Sequence, residues 1–161
     1  MRNLNGMMLV RCFRVLDMMA LSFDDHYDTY NEEKGEYEEK YGIHFLCWLR
    51  AVYQNRIIVS SNDSLVDRNG NYIDESEHHS ESLYDEEMNH ILESLHGIVI
   101  QEIVLLPEGD LKILFSNGFK IEAFVKHSNS ENDEDWLLLD FVNNVHISVS
   151  GGAIDIYFGE E

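Results

Sequence analysis

Few side chains in this sequence are of a type and spacing that could do chemistry. The best are His44, Arg50 and His146, with Asp63 nearby, all in or beside predicted strands. Imidazoles can move protons or bind a ligand, and a guanidinium can fix a carboxylate or phosphate. No recognised catalytic motif accompanies them: GxSxG, a glycine-rich phosphate loop and HExxH are all missing. Asp67, Asn69 and Asn71 have the spacing of the first calcium ligands of an EF-hand, but the position that needs glycine is Tyr72. Asn69-Gly70 is therefore read as a turn. His78 and His79 are adjacent and point different ways in an extended loop. The sequence thus predicts no metal, no cofactor and no enzyme. Cys12 and Cys47 share no metal-ligand spacing and are read as buried free thiols of a reducing compartment.

Charge is the strongest compositional signal. Thirty-one acidic residues against 11 basic ones give a formal charge of −20. Such a chain repels a phosphate backbone or an anionic leaflet, so nucleic acid and membrane are disfavoured and a basic protein partner is favoured. The acids are clustered: Asp24 to Lys40 holds eight, Asp74 to Glu87 seven and Glu131 to Asp135 four, 19 of the 31 in all. The first cluster also carries Tyr27, Tyr30 and Tyr37, with Tyr41 just beyond. Carboxylates can steer a cationic partner, and tyrosines supply rigid contact area. The candidate partner-binding residues are Asp24, Asp25, Tyr27, Asp28, Tyr30, Glu32, Glu33, Glu36, Tyr37, Glu38 and Glu39.

Strands must carry these loops. Ile98 to Leu106, Leu111 to Ser116 and Phe119 to Val125 form an apolar-alternating meander, turned at Pro107 to Asp110 and at Asn117-Gly118, the latter read as a type I′ turn. Further strands are expected over Met8 to Leu16, Gly42 to Val52, Arg56 to Ser60, Trp136 to Val142, Val145 to Val149 and Ala153 to Phe158. Asp24 to Tyr41 reads as a long loop. The single confident helix spans about 83 to 95, opened by Ser82 and Asp85. Residues 4 to 23 can be laid over 95 to 115 at an offset of about 91 to 93. His44 and His146 each begin a strand in their own half. A tandem repeat over 4–60 and 95–158 is the expectation. The fold class is α+β, predominantly antiparallel β, with two tandem meander halves forming one barrel or sandwich in a single domain over 1–161. Arg11 and Arg14 interrupt the apolar N-terminus and no cleavage site follows, so a soluble, cytoplasmic protein is expected.

Leu4 to Phe23, Gly42 to Asp63 and Gly109 to Gly152, taken together, resemble small bacterial proteins of the YxiG-like, polymorphic-toxin immunity type. In that family the middle block reads as His, Cys and Trp-Arg. Here His44, Cys47 and Trp48 match, whereas Leu49 separates Trp48 from Arg50, and Trp136 is followed by Leu137 in place of arginine. The resemblance implies an immunity role, namely a protein that binds and occludes a specific, basic toxin or effector domain. Two alternatives stay open. One is a small-ligand-binding or enzymatic β-barrel with a pocket near His44, Arg50 and His146. The other is a self-associating structural β domain, a homodimer through an uncovered sheet edge.

Overall fold

The computed structural model describes residues 4–15, 18–26, 30–73, 82–94, 98–126 and 134–158. Its strands are β1 (Met8–Val15), β2 (Met18–Asp24), β3 (Tyr30–Asn31), β4 (Glu36–Tyr37), β5 (Tyr41–Phe45), β6 (Trp48–Tyr53), β7 (Arg56–Ser60), β8 (Ile100–Leu105), β9 (Leu111–Phe115), β10 (Lys120–Phe124), β11 (Trp136–Asp140), β12 (Val145–Ser150) and β13 (Ala153–Phe158). One helix, α1 (Leu83–Ser94), and a 3₁₀ turn at Ser61–Leu65 complete the described elements. All pairing within the sheets is antiparallel. A six-stranded sheet runs β1-β2-β5-β11-β12-β13 and a five-stranded sheet runs β7-β6-β10-β9-β8. The two share one buried core and do not close into a barrel. Phe23 of the first sheet stacks near Phe115 of the second, with ring centroids 6.5 Å apart.

The halves are exchanged between the sheets. Strands β1, β2 and β5 lie in the six-stranded sheet, after which β6 and β7 cross to the other. Strands β8, β9 and β10 lie in the five-stranded sheet, after which β11, β12 and β13 cross back. Both leading hairpins carry a β-bulge, between Leu9 and Arg11 and between Ile100 and Glu102, an offset of about 91 residues. They also pair with each other symmetrically. Met8 bridges Val99, Leu9 N–H donates to Ile98 O at 3.2 Å, and Ile100 N–H donates to Met7 O at 2.8 Å. A local two-fold through Met8 and Val99 thus relates the hairpins. The register matches Ile43 with Ile121, hence His44 with Glu122, and places His146 on β12, the counterpart of β7. The two histidines are therefore not equivalent positions of the two halves.

Gly42 to Val52 is not one strand. It breaks at Leu46-Cys47, where both N–H groups donate to Asp135 O at 2.9 Å and the chain changes sheet. Asp135 is fully buried. Its carboxylate accepts Lys126 N–H at 3.1 Å and Gly151 N–H at 2.8 Å, and its own N–H donates to Val149 O at 2.7 Å. The Asn117-Gly118 turn also departs from expectation. Only Gly118 has positive φ, and the Phe115–Phe119 pair encloses three residues, so the loop is the glycine-bulge type instead of I′. Helix α1 is capped as expected: Asp85 N–H donates to Ser82 Oγ at 3.1 Å. Tyr84, Met88 and Ile91 enter the core, and α1 packs on β1, β7 and the 3₁₀ turn. No helix among the described residues is long and apolar enough to cross a membrane.

Replacing Asp135 with alanine leaves two backbone N–H donors without their acceptor, at ~1–3 kcal/mol each. Urea unfolding of Asp135→Ala should show a loss of about 3 kcal/mol, and Asp135→Asn a smaller one. A loss well under ~1 kcal/mol for Asp135→Ala would mean the carboxylate does not hold the crossing.

Candidate functional groove

The acidic segment after β2 is ordered by its own carboxylates. Asp24, the last residue of β2, is 1% exposed. Its Oδ1 accepts the N–H of Asp25 at 2.6 Å and of His26 at 3.3 Å. His26 Nδ1 lies 2.8 Å from Asp24 and 2.9 Å from Asp25, while Lys40 Nζ lies 2.5 Å from Asp25. Hydrogen bonding from Asp25, reinforced by the charge of Asp24, raises the His26 pKa above its ordinary 6.5. Lys40, then His26, hold the Asp25 carboxyl far below the usual carboxylate range. The atoms of Asp24, Asp25 and His26 lie within 4.8 Å of one another, close enough to hold a cation, but Lys40 already pairs with both carboxylates.

The predicted long loop contains a small hairpin. Tyr30 pairs with Tyr37 across β3 and β4, their rings edge-on at 5.0 Å. Asn31 Oδ1 caps the turn by accepting the N–H of Glu33 and Lys34, and Lys34 forms an ion pair with Glu38. The hairpin leans on Arg11 of β1. That guanidinium sits 4.3 Å from the Tyr37 ring and 4.7 Å from Phe13, and bonds Glu39 at 2.6 Å. Phe141 N–H donates to Lys40 O at 3.0 Å, bringing the β11–β12 turn alongside.

The result is an open groove of about 580 Å³ lined by Asp24, His26, Tyr30, Asn31, Glu32, Glu38, Glu39, Lys40, Phe141 and Val142. Five of these are among the sequence-derived partner residues: Asp24, Tyr30, Glu32, Glu38 and Glu39. Their roles differ. Asp24, Glu38 and Glu39 are engaged internally, whereas the exposed Glu32 side chain, like that of Glu33 next to it in sequence and outside the lining, bonds no other described residue. Tyr27 and Asp28 lie outside the described residues, as does the side chain of Glu36. Phe141 and Val142, 54% and 59% exposed, were not singled out by the sequence reading. Their signal is an apolar pair in a turn, flanked by Asp140 and Asn143, where polar residues are the rule.

His44, Arg50 and His146 do not share a pocket. His44 alternates with the core residues Ile43 and Phe45, and His146 lies on the same outer face of the six-stranded sheet. Arg50 alternates with buried Leu49 and Ala51 on the other sheet, so it points away from the core on the opposite side. There it bonds Glu122 at 2.7 Å and covers Phe124. Burial lowers the His44 pKa. Asp63 caps the 3₁₀ turn by accepting Ser60 N–H at 2.7 Å, and Asp67 accepts the N–H of Asn69 and Asn71, each at 2.8 Å. Cys12 and Cys47 are free, and burial pushes both thiols up to about 12. The chain matches no family model, no curated protein and no solved structure.

Because folding raises the His26 pKa, its contribution to stability is fully present below about 6.5 and is lost as pH rises through the folded value. NMR titration of the His26 ring should give a midpoint above 6.5. The Asp25→Asn variant should move that midpoint down; an unchanged midpoint would show that Asp25 does not hold the ring.

Proposed function

We propose that this protein is a cytoplasmic neutralising protein of the immunity type, which binds a basic effector domain across the acidic groove and blocks it by occlusion. The observation that carries this reading is the meeting, in one open groove, of carboxylates with exposed Tyr30, Phe141 and Val142. A surface ion pair contributes only ~0.2–1 kcal/mol, so the carboxylates act mainly on encounter rate. Affinity then comes from the aromatic and aliphatic side chains, which a cationic loop or helix with an apolar stem would cover. The net charge of −20 acts in the same direction at long range. Two free cysteines suit the reducing compartment in which such a partner is met.

The test is co-expression and co-purification with the C-terminal domain encoded by the open reading frame immediately upstream in the source DNA, scored for rescue of growth. A complex with rescue supports the reading; neither complex nor rescue overturns it. Within the complex, Glu32→Lys with Glu33→Lys should lower the association rate on the order of tenfold at low salt and flatten its salt dependence. Phe141→Ala should instead speed dissociation. Equal effects of both variants on one rate would overturn this division of roles.

A further inference from the structure

The six-stranded sheet is one strand wider than the sheet it packs on, and β13 is the strand left over. Every residue of β13 is exposed, on both faces, and Phe158 is 76% exposed. Its pairing with β12 puts Ile154, Ile156 and Phe158 opposite Val149, Ile147 and Val145. These three therefore continue the core-side face of the sheet past the point where the five-stranded sheet covers it. The other described outer strands are engaged. Helix α1 packs on β7 and on β1, and β1 and β8 bond each other at their N-terminal ends. Natural edge strands carry lysine, proline or a bulge that discourages pairing, and β13 has none, with Asp155 its single charge.

We infer that β13 is the site of homodimerisation, pairing antiparallel with β13 of a second copy about a two-fold axis at Ile156. The backbone supports this register. Gly151 and Gly152, both at positive φ, form a two-residue hairpin turn, so the flanking Ser150–Ala153 pair exchanges hydrogen bonds across the hairpin. By alternation, Ile154, Ile156 and Phe158 direct their N–H and C=O groups to the open edge. A two-fold at Ile156 sets Ile156 against itself, Ile154 against Phe158, and Asp155 against Tyr157. That join is apolar along the core-side face and keeps the two Asp155 carboxylates from facing each other. Within β13 itself, among the described residues, a basic partner meets one carboxylate, that of Asp155. Six paired residues span only about 20 Å, so the area they bury falls well below the ~1,200 Å² of a standard interface, and the dimer is weak. Because each copy carries −20, salt should strengthen it, opposite to what is expected at the acidic groove.

Sedimentation equilibrium from about 5 to about 500 µM should show a monomer–dimer equilibrium whose dimer fraction rises between low and about 0.5 M salt. Ile156→Lys and Ile156→Pro should each weaken association at least about tenfold with circular dichroism unchanged. Mild oxidation should link two Ile156→Cys chains covalently and leave Ile154→Cys chains unlinked, because only residue 156 meets itself; this comparison decides the matter if the first two variants misfold. A monomer throughout the range, folded variants that associate like the parent, or equal linking of both cysteine variants would each overturn the proposal. The groove does not enter it. Glu32→Lys with Glu33→Lys should leave the register-specific linking intact, and Ile156→Lys should leave the partner's association rate intact, so the two readings fail separately.

Discussion

The exchange of strands between the two sheets depends on one buried carboxylic residue. Asp135 stands where β10 hands over to β11, and its backbone carbonyl receives the two N–H groups at which β5 hands over to β6. Its side chain ties in Lys126 and Gly151, so four segments that leave one sheet or turn back within the other are held by a single residue. A crossover strips backbone groups of their ladder partners, and buried groups of this kind cost free energy unless replaced. The adjoining Trp136, fully buried, donates from its indole to Gly109 O at 2.8 Å and so ties the β8–β9 turn to the same corner. At Gly109 the approach is close: a Cβ there would meet Gly152, Val125 and Val149 at 3.0 Å.

This arrangement explains what the sequence could and could not tell. Strands, turns and the helix were legible because period-two alternation, Asn-Gly and Gly-Gly turns and the Ser82 cap are all local signals. The two leading hairpins each carry a bulge and pair with each other. The crossing was not legible. Asp135 sits at the end of an acidic run, so composition assigned it to a solvated loop, whereas its environment is set by residues far away in the chain. Leu46 and Cys47 are apolar and read as the middle of a strand, although they mark its break. No pattern along one strand says where the chain leaves a sheet.

The groove was half legible for the same reason. The run from Asp24 to Glu39 announced itself by charge, but charge does not tell which carboxylates are engaged. Asp24 serves two backbone N–H groups, Glu39 serves Arg11 and Glu38 serves Lys34, while the Glu32 and Glu33 side chains bond no other described residue. The apolar wall comes from Phe141 and Val142, about a hundred residues later, delivered by the hydrogen bond from Phe141 to Lys40. The supposed site at His44, Arg50 and His146 failed by topology. Alternation sends each side chain outward, and the exchange puts Arg50 on the other sheet.

The groove and the free edge belong to one sheet and are joined by one row of paired residues, Phe23, Tyr41, Asp140, Val145 and Phe158. The net charge of −20 favours the approach of a cation to the groove and opposes the approach of a second copy to the edge. An uncovered apolar edge strand in a near-neutral protein invites open-ended assembly. Here two constraints oppose that outcome. Charge repulsion weakens every self-contact, and pairing about a two-fold at Ile156 uses the β13 edge of both partners at once. With β7 covered by α1, and β1 and β8 engaged with each other, the described strands of the paired sheet have no equivalent edge to offer a third copy. An isologous contact of this kind closes at two, whereas a head-to-tail contact through unlike edges would propagate.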